Sequence, residues 1–195
     1  MSKLYKRNKL VYGAGINDAD YNTQPYVGGK RVMCKYYETW RNVLQRCYSS
    51  IYQAKEPTYI GCTVTEEWLT FSNFKAWMET QDYKDKQLDK DILVQGNKIY
   101  SPDTCIFVTK TINVLFTKRD ASRGEYKLGV HFKKRYGKYI ARCNVNGKSK
   151  HLGCYLTEEE AYLTYKIFKQ EHIRTLALEQ SDERLKEAML NYIVE

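Results

Sequence analysis

Apolar side chains recur every three or four residues between positions 36 and 52, which is the period of one face of an α-helix. The residues on this stripe are Trp40, Val43, Leu44, Cys47, Tyr48 and Ile51. Arg41 and Arg46 fall on other faces of the same segment. The pattern predicts an amphipathic helix whose apolar stripe packs in a hydrophobic core.

A second stripe of aromatic and apolar residues follows the break at Pro57. Its members are Trp68, Phe71, Phe74, Trp77 and Met78. Thr65 precedes Glu66 and Glu67, and a hydroxyl followed by acidic residues is typical of a helix N-terminus. We therefore predict a second helix that Thr65 caps.

Residues 88–118 combine short apolar runs with turn residues. The runs 88–94 and 99–100 flank Gly96-Asn97, which predicts a β-hairpin. A further apolar run covers 105–108, and Thr109 is placed to cap a helix that begins at Lys110. The predicted order is strand, turn, strand, loop, helix.

Beyond position 126 the period changes to the alternation of β-strands. Three strands are predicted over 128–134, 139–145 and 149–155, and Asn146-Gly147 favours a tight turn between the last two. Strict alternation fails within the second strand, which predicts a bulge or a twisted register near Cys143.

A helix is predicted after the third strand. Thr157 and Glu160 form the pattern of a capping box, in which each side chain bonds the backbone of the other residue. This segment is thus a three-stranded antiparallel sheet packed on one helix, and the chain as a whole belongs to the α+β class.

The composition changes at several points and predicts a division of the chain. The predicted parts are an N-terminal arm over 1–33, a first domain over 34–118, a polar linker over 119–126, a sheet domain over 127–174 and a C-terminal helix over 175–195.

Charge is concentrated in one of these parts. The 195 residues carry a net charge of +9, and residues 110–174 alone, with 15 basic and 6 acidic side chains, account for that whole excess. Between positions 127 and 150 there are eight basic residues and no acidic one. Such a local bias is typical of a surface that binds a polyanion, although a basic surface that only aids solubility has the same composition.

Two other classes of protein are disfavoured by the sequence. No run approaches the roughly 18 apolar residues of a membrane-spanning helix, and the basic N-terminus lacks the apolar segment of a secretory signal. The six cysteines include no CxxC pair and match no zinc pattern, so we expect reduced thiols, most of them in the core, and no zinc.

The basic sheet carries side chains that bind DNA phosphates and base edges. The candidates on and beside its outward face are Lys133, Lys134, Arg135, Tyr139, Arg142, Asn144, Lys148 and Lys150. The stretch from Gly129 to His172 resembles the ERF-type DNA-binding domain of plant transcription factors and phage homing endonucleases. The opening Gly-Val, the strand KYIAR, the Asn-Gly turn, HLG and the start of the helix carry this resemblance. It implies that the sheet contacts duplex DNA, with Tyr139 in place of the usual Trp.

Residues 88–118 offer oxygen ligands for a divalent cation. Asp89 on the predicted first strand and Asn113 on the following helix could converge on one ion. The alternative is that Asp89 and Asp91 pair with Lys90 or Lys98 in a solvated hairpin.

The stretch LDKDILVQGNKIYSPDTCIFVTKTINVLF resembles the HNH endonuclease motif of phage homing endonucleases. The resemblance covers about residues 34–124 and implies a ββα-metal unit with one Mg²⁺ or Mn²⁺ ion. Asp89 and Asn113 match its metal ligands, and Asn97 matches the residue that braces the loop. Lys90 stands where the family has its general-base His, and an ordinary protonated Lys takes no proton from water. It could instead contact phosphate as a cation.

Three functions are compatible with the sequence. The first is a phage-type DNA endonuclease or nickase that uses Asp89, Lys90, Asn97 and Asn113. The second is a catalytically inactive DNA-binding regulator or anti-defence protein that keeps the nuclease scaffold. The third is a protein that binds an acidic partner protein. The first two imply double-stranded DNA as partner, no membrane, a host protein as a further partner, and the cytoplasm of an infected bacterium as location; the oligomeric state stays open.

Overall fold

The computed structural model describes residues 9–116 and 125–194. The chain forms two compact units, Met1–Thr109 and Lys110–Glu195, and its fold is mixed α+β, as the sequence predicts. The predicted boundary at position 118 differs from this division, because the helix that begins at Lys110 groups with the second unit. Most of the predicted linker, residues 119–124, lies outside the described residues.

The first unit contains three helices and six short strands in its described part. In chain order they are β1 (Tyr26–Val27), β2 (Lys30–Arg31), α1 (Lys35–Tyr48), α2 (Ser50–Lys55), β3 (Thr63–Val64), α3 (Phe71–Glu79), β4 (Gln87–Asp89), β5 (Ile99–Tyr100) and β6 (Ile106–Val108). Strands β1 and β2 pair antiparallel, as do β4 and β6, whereas β3 and β5 pair in parallel.

The core of this unit is built on the two predicted stripes. Trp40 and Trp68 have no exposed surface, and the indole Nε1 of Trp40 donates to the carbonyl oxygen of Trp68 at 2.7 Å. Ile51 is 75% exposed, so its predicted place in the core is wrong. The reason is that helix α1 ends before Ser49, whose Oγ accepts from the amide of Tyr52 and starts the separate helix α2.

Thr65 is not the cap of an α-helix. Residues Glu66–Leu69 form one turn of 3₁₀ helix, and α3 begins only at Phe71. The hydroxyl of Thr65 is buried without a hydrogen-bond partner among the described residues. Acidic residues after a hydroxyl indicated a helical turn at the right place but of the wrong kind.

The predicted hairpin around Gly96-Asn97 is also wrong. Strand β4 ends at Asp89 and pairs with β6, while β5 pairs with β3. The chain leaves β4 because Oδ1 of Asp89 accepts the amides of Asp91 and Ile92 at 2.7 and 2.8 Å and turns the backbone. Residues 90–98 are therefore a loop.

The described part of the predicted arm packs against the core. Ile16 bridges Thr70 in parallel, and a Cβ added at Gly15 would overlap side-chain atoms of Leu44 and Trp40. The backbone at Gly15 thus lies directly on helix α1. Residues 9–33 belong to the first unit and are not a separate extension.

The second unit contains a three-stranded antiparallel sheet and three helices in its described part. Its elements are α4 (Lys110–Phe116), β7 (Val130–Lys133), β8 (Lys138–Val145), β9 (Lys148–Tyr155), α5 (Glu158–Leu178) and α6 (Glu183–Asn191). The strand order is β7-β8-β9.

Local signals in this unit are confirmed. Asn146 and Gly147 both have positive φ, 51° and 77°, as the tight turn requires. The register shifts between Ala141 and Arg142, close to the expected bulge. Thr157 and Glu160 make both hydrogen bonds of the capping box. No helix in the described part of the chain is long and apolar enough to cross a membrane.

Candidate functional site

The two sides of the sheet are identified by what packs on them. Val130 and Ala141 pair across β7 and β8 and contact Ala161 of α5, so they mark the side that faces the helix. Side chains alternate along a strand, and paired residues point to the same side. The opposite side, called here the outer face, therefore carries His131, Lys133, Arg142, Asn144 and His151.

The outer face is rich in exposed hydrogen-bond donors. Lys133, Arg142, Asn144 and His151 are exposed. The pKa of His131 is lowered, first by burial and then by the positive charges of Arg142 and Lys133. The local electrostatic potential is thus positive. An anion placed on this face gains attraction, and Arg, Lys and Asn side chains can bond both phosphates and base edges.

Three of the predicted DNA-contacting residues lie elsewhere. Tyr139 is on the helix side, with its ring 4.8 Å from that of Phe132. Lys150 pairs with the buried Cys143, and its ammonium lies 4.6 Å from the centre of the Phe168 ring on α5. Lys148 pairs with Val145 and follows the same side. The bulge sets which residues of β9 face outward, and its position could not be fixed from the sequence.

The other predicted DNA-contacting residues lie on the outer face or in the turn beside it. Arg142 and Asn144 are on the central strand, and Lys133 ends β7. Lys134 and Arg135 are exposed in the 3₁₀ turn Lys134–Tyr136, which joins β7 to β8. Sequence reasoning missed His131 and His151, because only the strand register shows that His151 stands opposite Arg142.

In the first unit, one of the two carboxylate oxygens of Asp89 accepts hydrogen bonds. Oδ1 holds the turn to Asp91 and Ile92, while Oδ2 has no hydrogen-bond partner within the described ranges. Burial raises the pKa of Asp89, and the two backbone hydrogen bonds oppose that rise. A partly desolvated carboxylate with an uncommitted oxygen is a suitable ligand for a hard divalent cation.

The side chain of Lys90 is buried and donates hydrogen bonds within its own loop. It is only 5% exposed, and its ammonium donates to the carboxylate of Asp91 and, at 2.7 Å, to the carbonyl oxygen of Asn97. Its Nζ also lies 5.9 Å from the centre of the Tyr100 ring. This geometry describes a structural brace. A direct contact between Lys90 and phosphate, which the sequence allowed, is not supported by it.

Asn97 closes the same loop from the other end. Its amide nitrogen donates to the carbonyl oxygens of Lys90 and Ile99, both at 2.7 Å, and its Oδ1 accepts the amide of Ile99 at 3.1 Å. The side chain is fully engaged with the backbone. Its role in the geometry is to brace the loop over residues 89–97, which we call the Asp89 loop.

The second predicted metal ligand belongs to the other unit. Asn113 is on helix α4, whereas Asp89 ends β4 of the first unit. Within residues 9–116 and 125–194, no group of three or more His, Cys, Asp or Glu side chains is placed to hold a metal.

Replacing Lys90 by Met tests its structural role. Met fills similar space but removes the charge, so the Asn97 carbonyl and Asp91 lose their partner. Because Asp91 is 52% exposed and stays solvated, we expect a loss of about 2 kcal/mol in unfolding free energy, below the range for fully buried pairs. Urea denaturation measures it.

The exposed pair between Lys86 and Asp82, 2.7 Å apart, supplies the control. Lys86→Met should cost less than about 0.5 kcal/mol, since surface ion pairs contribute little. Equal stability of the two variants would contradict the structural role of Lys90. A loss of DNA binding by Lys90→Met without a loss of stability would instead indicate that Lys90 contacts phosphate.

Comparison with models of known protein families, with curated proteins and with solved structures gave no match. Functional assignment therefore depends on this chain's own residues and their geometry.

Proposed function

We propose that this protein binds duplex DNA in a sequence-selective manner through the outer face of its second unit. The observation that supports this most is the exposed set Lys133, Arg142 and Asn144 on one side of a sheet whose segment has no acidic residue between positions 127 and 150. An acid-free face of donors suits a polyanion that also offers base edges.

Different side chains of the second unit would have different roles in DNA binding. Arg142 and Asn144 stand on the central strand, so they are the candidates for base contacts, since Arg suits guanine and Asn suits adenine in the major groove. Lys134 and Arg135, in the turn at the sheet's end, are the candidates for phosphate contacts. Lys133 stands between these two groups.

The proposal extends to hydrolysis of the DNA backbone by an HNH-type site in a ββα-metal unit. Asp89 would be a ligand of one Mg²⁺ or Mn²⁺ ion, a role that its uncommitted Oδ2 fits. Asn113 is a second ligand by the resemblance alone. A divalent ion stabilises the charge on the leaving phosphate oxygen. Asn97 and Lys90 fix the backbone of the Asp89 loop, so the carboxylate is held in one orientation.

The burial of Lys90 favours a second candidate function. Lys90 stands where the resembled family has its general-base His, and its ammonium is bonded to Asp91 and Asn97, so it takes no proton from water. A DNA-binding regulator or anti-defence protein that keeps the scaffold without cutting DNA would have this arrangement. In either case we propose the cytoplasm of an infected bacterial host as its location; for the anti-defence alternative the further partner would be a host protein.

Binding of the full chain to duplex DNA at several salt concentrations tests the common part of the proposal. If about six phosphates are neutralised, log K should fall against log salt with a slope of about −5. A flat salt response would contradict DNA binding and favour an acidic partner protein.

Arg142→Ala should lower affinity for the preferred site by about 1–3 kcal/mol, roughly five- to 150-fold, because a base contact is lost. Affinity for unrelated DNA should change much less. Preferred sites are found by selection from a random duplex library, and affinities by fluorescence anisotropy.

Arg174→Ala is the matched control, since Arg174 is exposed on α5, on the far side of the sheet, and pairs with Glu171 at 2.9 Å. It should leave both affinities unchanged. An equal effect of the two variants, or an equal loss on all sequences in Arg142→Ala, would show that Arg142 reads no base.

A further inference from the structure

Arg46 is a half-buried cation inside the first unit. It extends from helix α1, and its guanidinium carbon lies 5.4 Å from the centre of the Tyr59 ring. The ring of Tyr52 stands 5.8 Å from that of Tyr59, and the hydroxyl of Tyr100 lies 3.4 Å from Nη1 of Arg46. Three tyrosines thus surround the side chain of Arg46. We call these four residues, Arg46, Tyr52, Tyr59 and Tyr100, the Arg46 pocket.

The guanidinium has more donors than partners. It has five N–H groups, yet in the described part of the chain its one hydrogen bond is the long contact to Tyr100, and no carboxylate pairs with it. Burial is the largest influence on the pKa of Arg46 and acts to lower it, but the phenol groups, Tyr100 first, more than offset it, so the group stays charged. A partly buried cation without an anionic partner is electrostatically unfavourable, and binding an anion there would relieve that cost.

Other cations lie around the same place. The ammonium of Lys98 donates to the carbonyl oxygen of Thr58, next to Tyr59, at 2.7 Å. Burial raises the pKa of the Cys62 thiol, and the charges of Lys90, Lys98 and Arg46 all oppose that rise. Asp91 is close as well, but its carboxylate pairs with Lys90.

The pocket is joined to the Asp89 loop through Tyr100. The ring of Tyr100 lies 5.9 Å from Nζ of Lys90, and its hydroxyl contacts Arg46. Tyr100 is itself fully buried and belongs to β5, so it fixes the distance between the two. A group bound at Arg46 would therefore sit beside the loop that presents Asp89.

We propose that the Arg46 pocket binds a phosphate group of the DNA backbone, with Lys98 as an auxiliary cation. A guanidinium presents a planar fork that bonds two phosphate oxygens at once, and a partly desolvated site strengthens those bonds. The inference rests on DNA being the partner, as proposed above. It adds a backbone contact in the first unit, apart from the sheet that would read the sequence.

The substitution Arg46→Gln tests this in the full-length protein. One phosphate contact fewer should reduce the steepness of the salt dependence by about 1, and weaken binding about equally on preferred and unrelated duplexes. Arg46→Lys keeps the charge without the fork and should fall between wild type and Arg46→Gln.

Arg41→Gln is the matched control. Arg41 is on the same helix and stacks on a tyrosine in the same way, with its guanidinium carbon 5.3 Å from the centre of the Tyr12 ring, but it lies outside the Arg46 pocket. It should leave the salt slope unchanged. If Arg41→Gln and Arg46→Gln change the slope equally, or neither changes it, the pocket does not bind phosphate.

A second measurement keeps the test valid if Arg46→Gln fails to fold. In the wild-type protein, the side-chain Nε–H signal of Arg46 should shift saturably when inorganic phosphate is added, and more strongly when duplex DNA is added, while that of Arg41 stays in place. If DNA binding fails but the phosphate shift occurs, the proposed function falls and the pocket remains a phosphate site. Absence of both shifts overturns the inference even where DNA still binds to the sheet.

Discussion

Asp89→Ala is expected to reduce Mg²⁺-dependent nicking of supercoiled plasmid by about a thousandfold, if the protein cuts DNA. The reason is that a metal ion contributes several kcal/mol to the transition state, and each 1.36 kcal/mol corresponds to about tenfold in rate. In the Asp89 loop, Oδ2 of Asp89 has no hydrogen-bond partner among the described residues. Its loss should leave DNA affinity within about twofold, because Asp89 itself makes none of the proposed phosphate and base contacts.

Asp89 also holds a turn, and a second substitution separates the two roles. Asn at this position keeps an Oδ1 that can accept the amides of Asp91 and Ile92 but removes the negative charge. Asp89→Asn should therefore lose nicking while keeping stability, whereas Asp89→Ala should lose nicking and about 1 kcal/mol of stability. The gel assay gives the first quantity and urea denaturation the second.

Asp103, an exposed aspartate of the same unit, supplies the control, and Asp103→Ala should behave as wild type in both assays. If the wild type nicks DNA and Asp89→Asn nicks it equally well, Asp89 is not a metal ligand. A wild type that binds DNA tightly without nicking under Mg²⁺ or Mn²⁺ would establish the inactive DNA-binding protein, which the burial of Lys90 favours.

The sheet could be predicted from the sequence because its signals are local. Alternation of apolar and polar residues defines each strand, and Asn146-Gly147 requires the positive φ angles that a tight turn uses. Thr157 and Glu160 lie three residues apart and bond each other without help from the rest of the fold. Such features depend on neighbours in the chain.

The segment around Asp89 could not be predicted in the same way. Its strands pair with partners that lie far along the chain: β4 with β6, and β5 with β3. The apolar run after Asp89 looks like a strand, but hydrogen bonds from Asp91 and Ile92 to one carboxylate oxygen end the strand. Propensity was overridden by tertiary pairing, as happens often in short strands.

The candidate site shows the same distinction at the level of single side chains. Composition identified the basic segment, but which side chains face outward depends on one shift in register between Ala141 and Arg142. That shift leaves Lys150 beside Phe168 and places His151 opposite Arg142. Likewise, the sequence allowed Lys90 either to contact phosphate or to pair with Asp89 or Asp91 in a solvated hairpin. The folded loop shows the pair with Asp91, but with the Lys90 ammonium buried and also bonded to the carbonyl oxygen of Asn97.

Gly129→Ala should be among the most destabilising single substitutions in the second unit, at about 3 kcal/mol. Two costs combine at this position. Gly129 has φ of +77°, a left-handed conformation that costs an L-residue about 1–2 kcal/mol. In addition, a Cβ there would overlap the ring of Tyr165 on α5, and overpacking of this kind costs about 1–3 kcal/mol.

Gly137→Ala separates these costs, since Gly137 has φ of +60° but nothing within 4 Å of an added Cβ. We expect it to lose only about 1 kcal/mol, the conformational part. Equal losses at the two glycines would show that the ring of Tyr165 moves away freely. Thermal or urea unfolding of the full chain gives both values.

The consequence of Gly129→Ala should reach the proposed DNA-binding face. The carbonyl oxygen of Gly129 accepts the amide of Arg142 at 2.7 Å, so displacement of Gly129 by the Tyr165 ring would shift the central strand where its pairing with β9 changes register. We therefore expect the folded fraction of Gly129→Ala to lose site preference, as Arg142→Ala does. In a Tyr165→Leu background the collision is relieved, so Gly129→Ala should cost about 1 kcal/mol there, as Gly137→Ala does, and should leave the preference intact. If the preference were lost in that background too, the backbone conformation at Gly129, and not its contact with α5, would hold Arg142 in place.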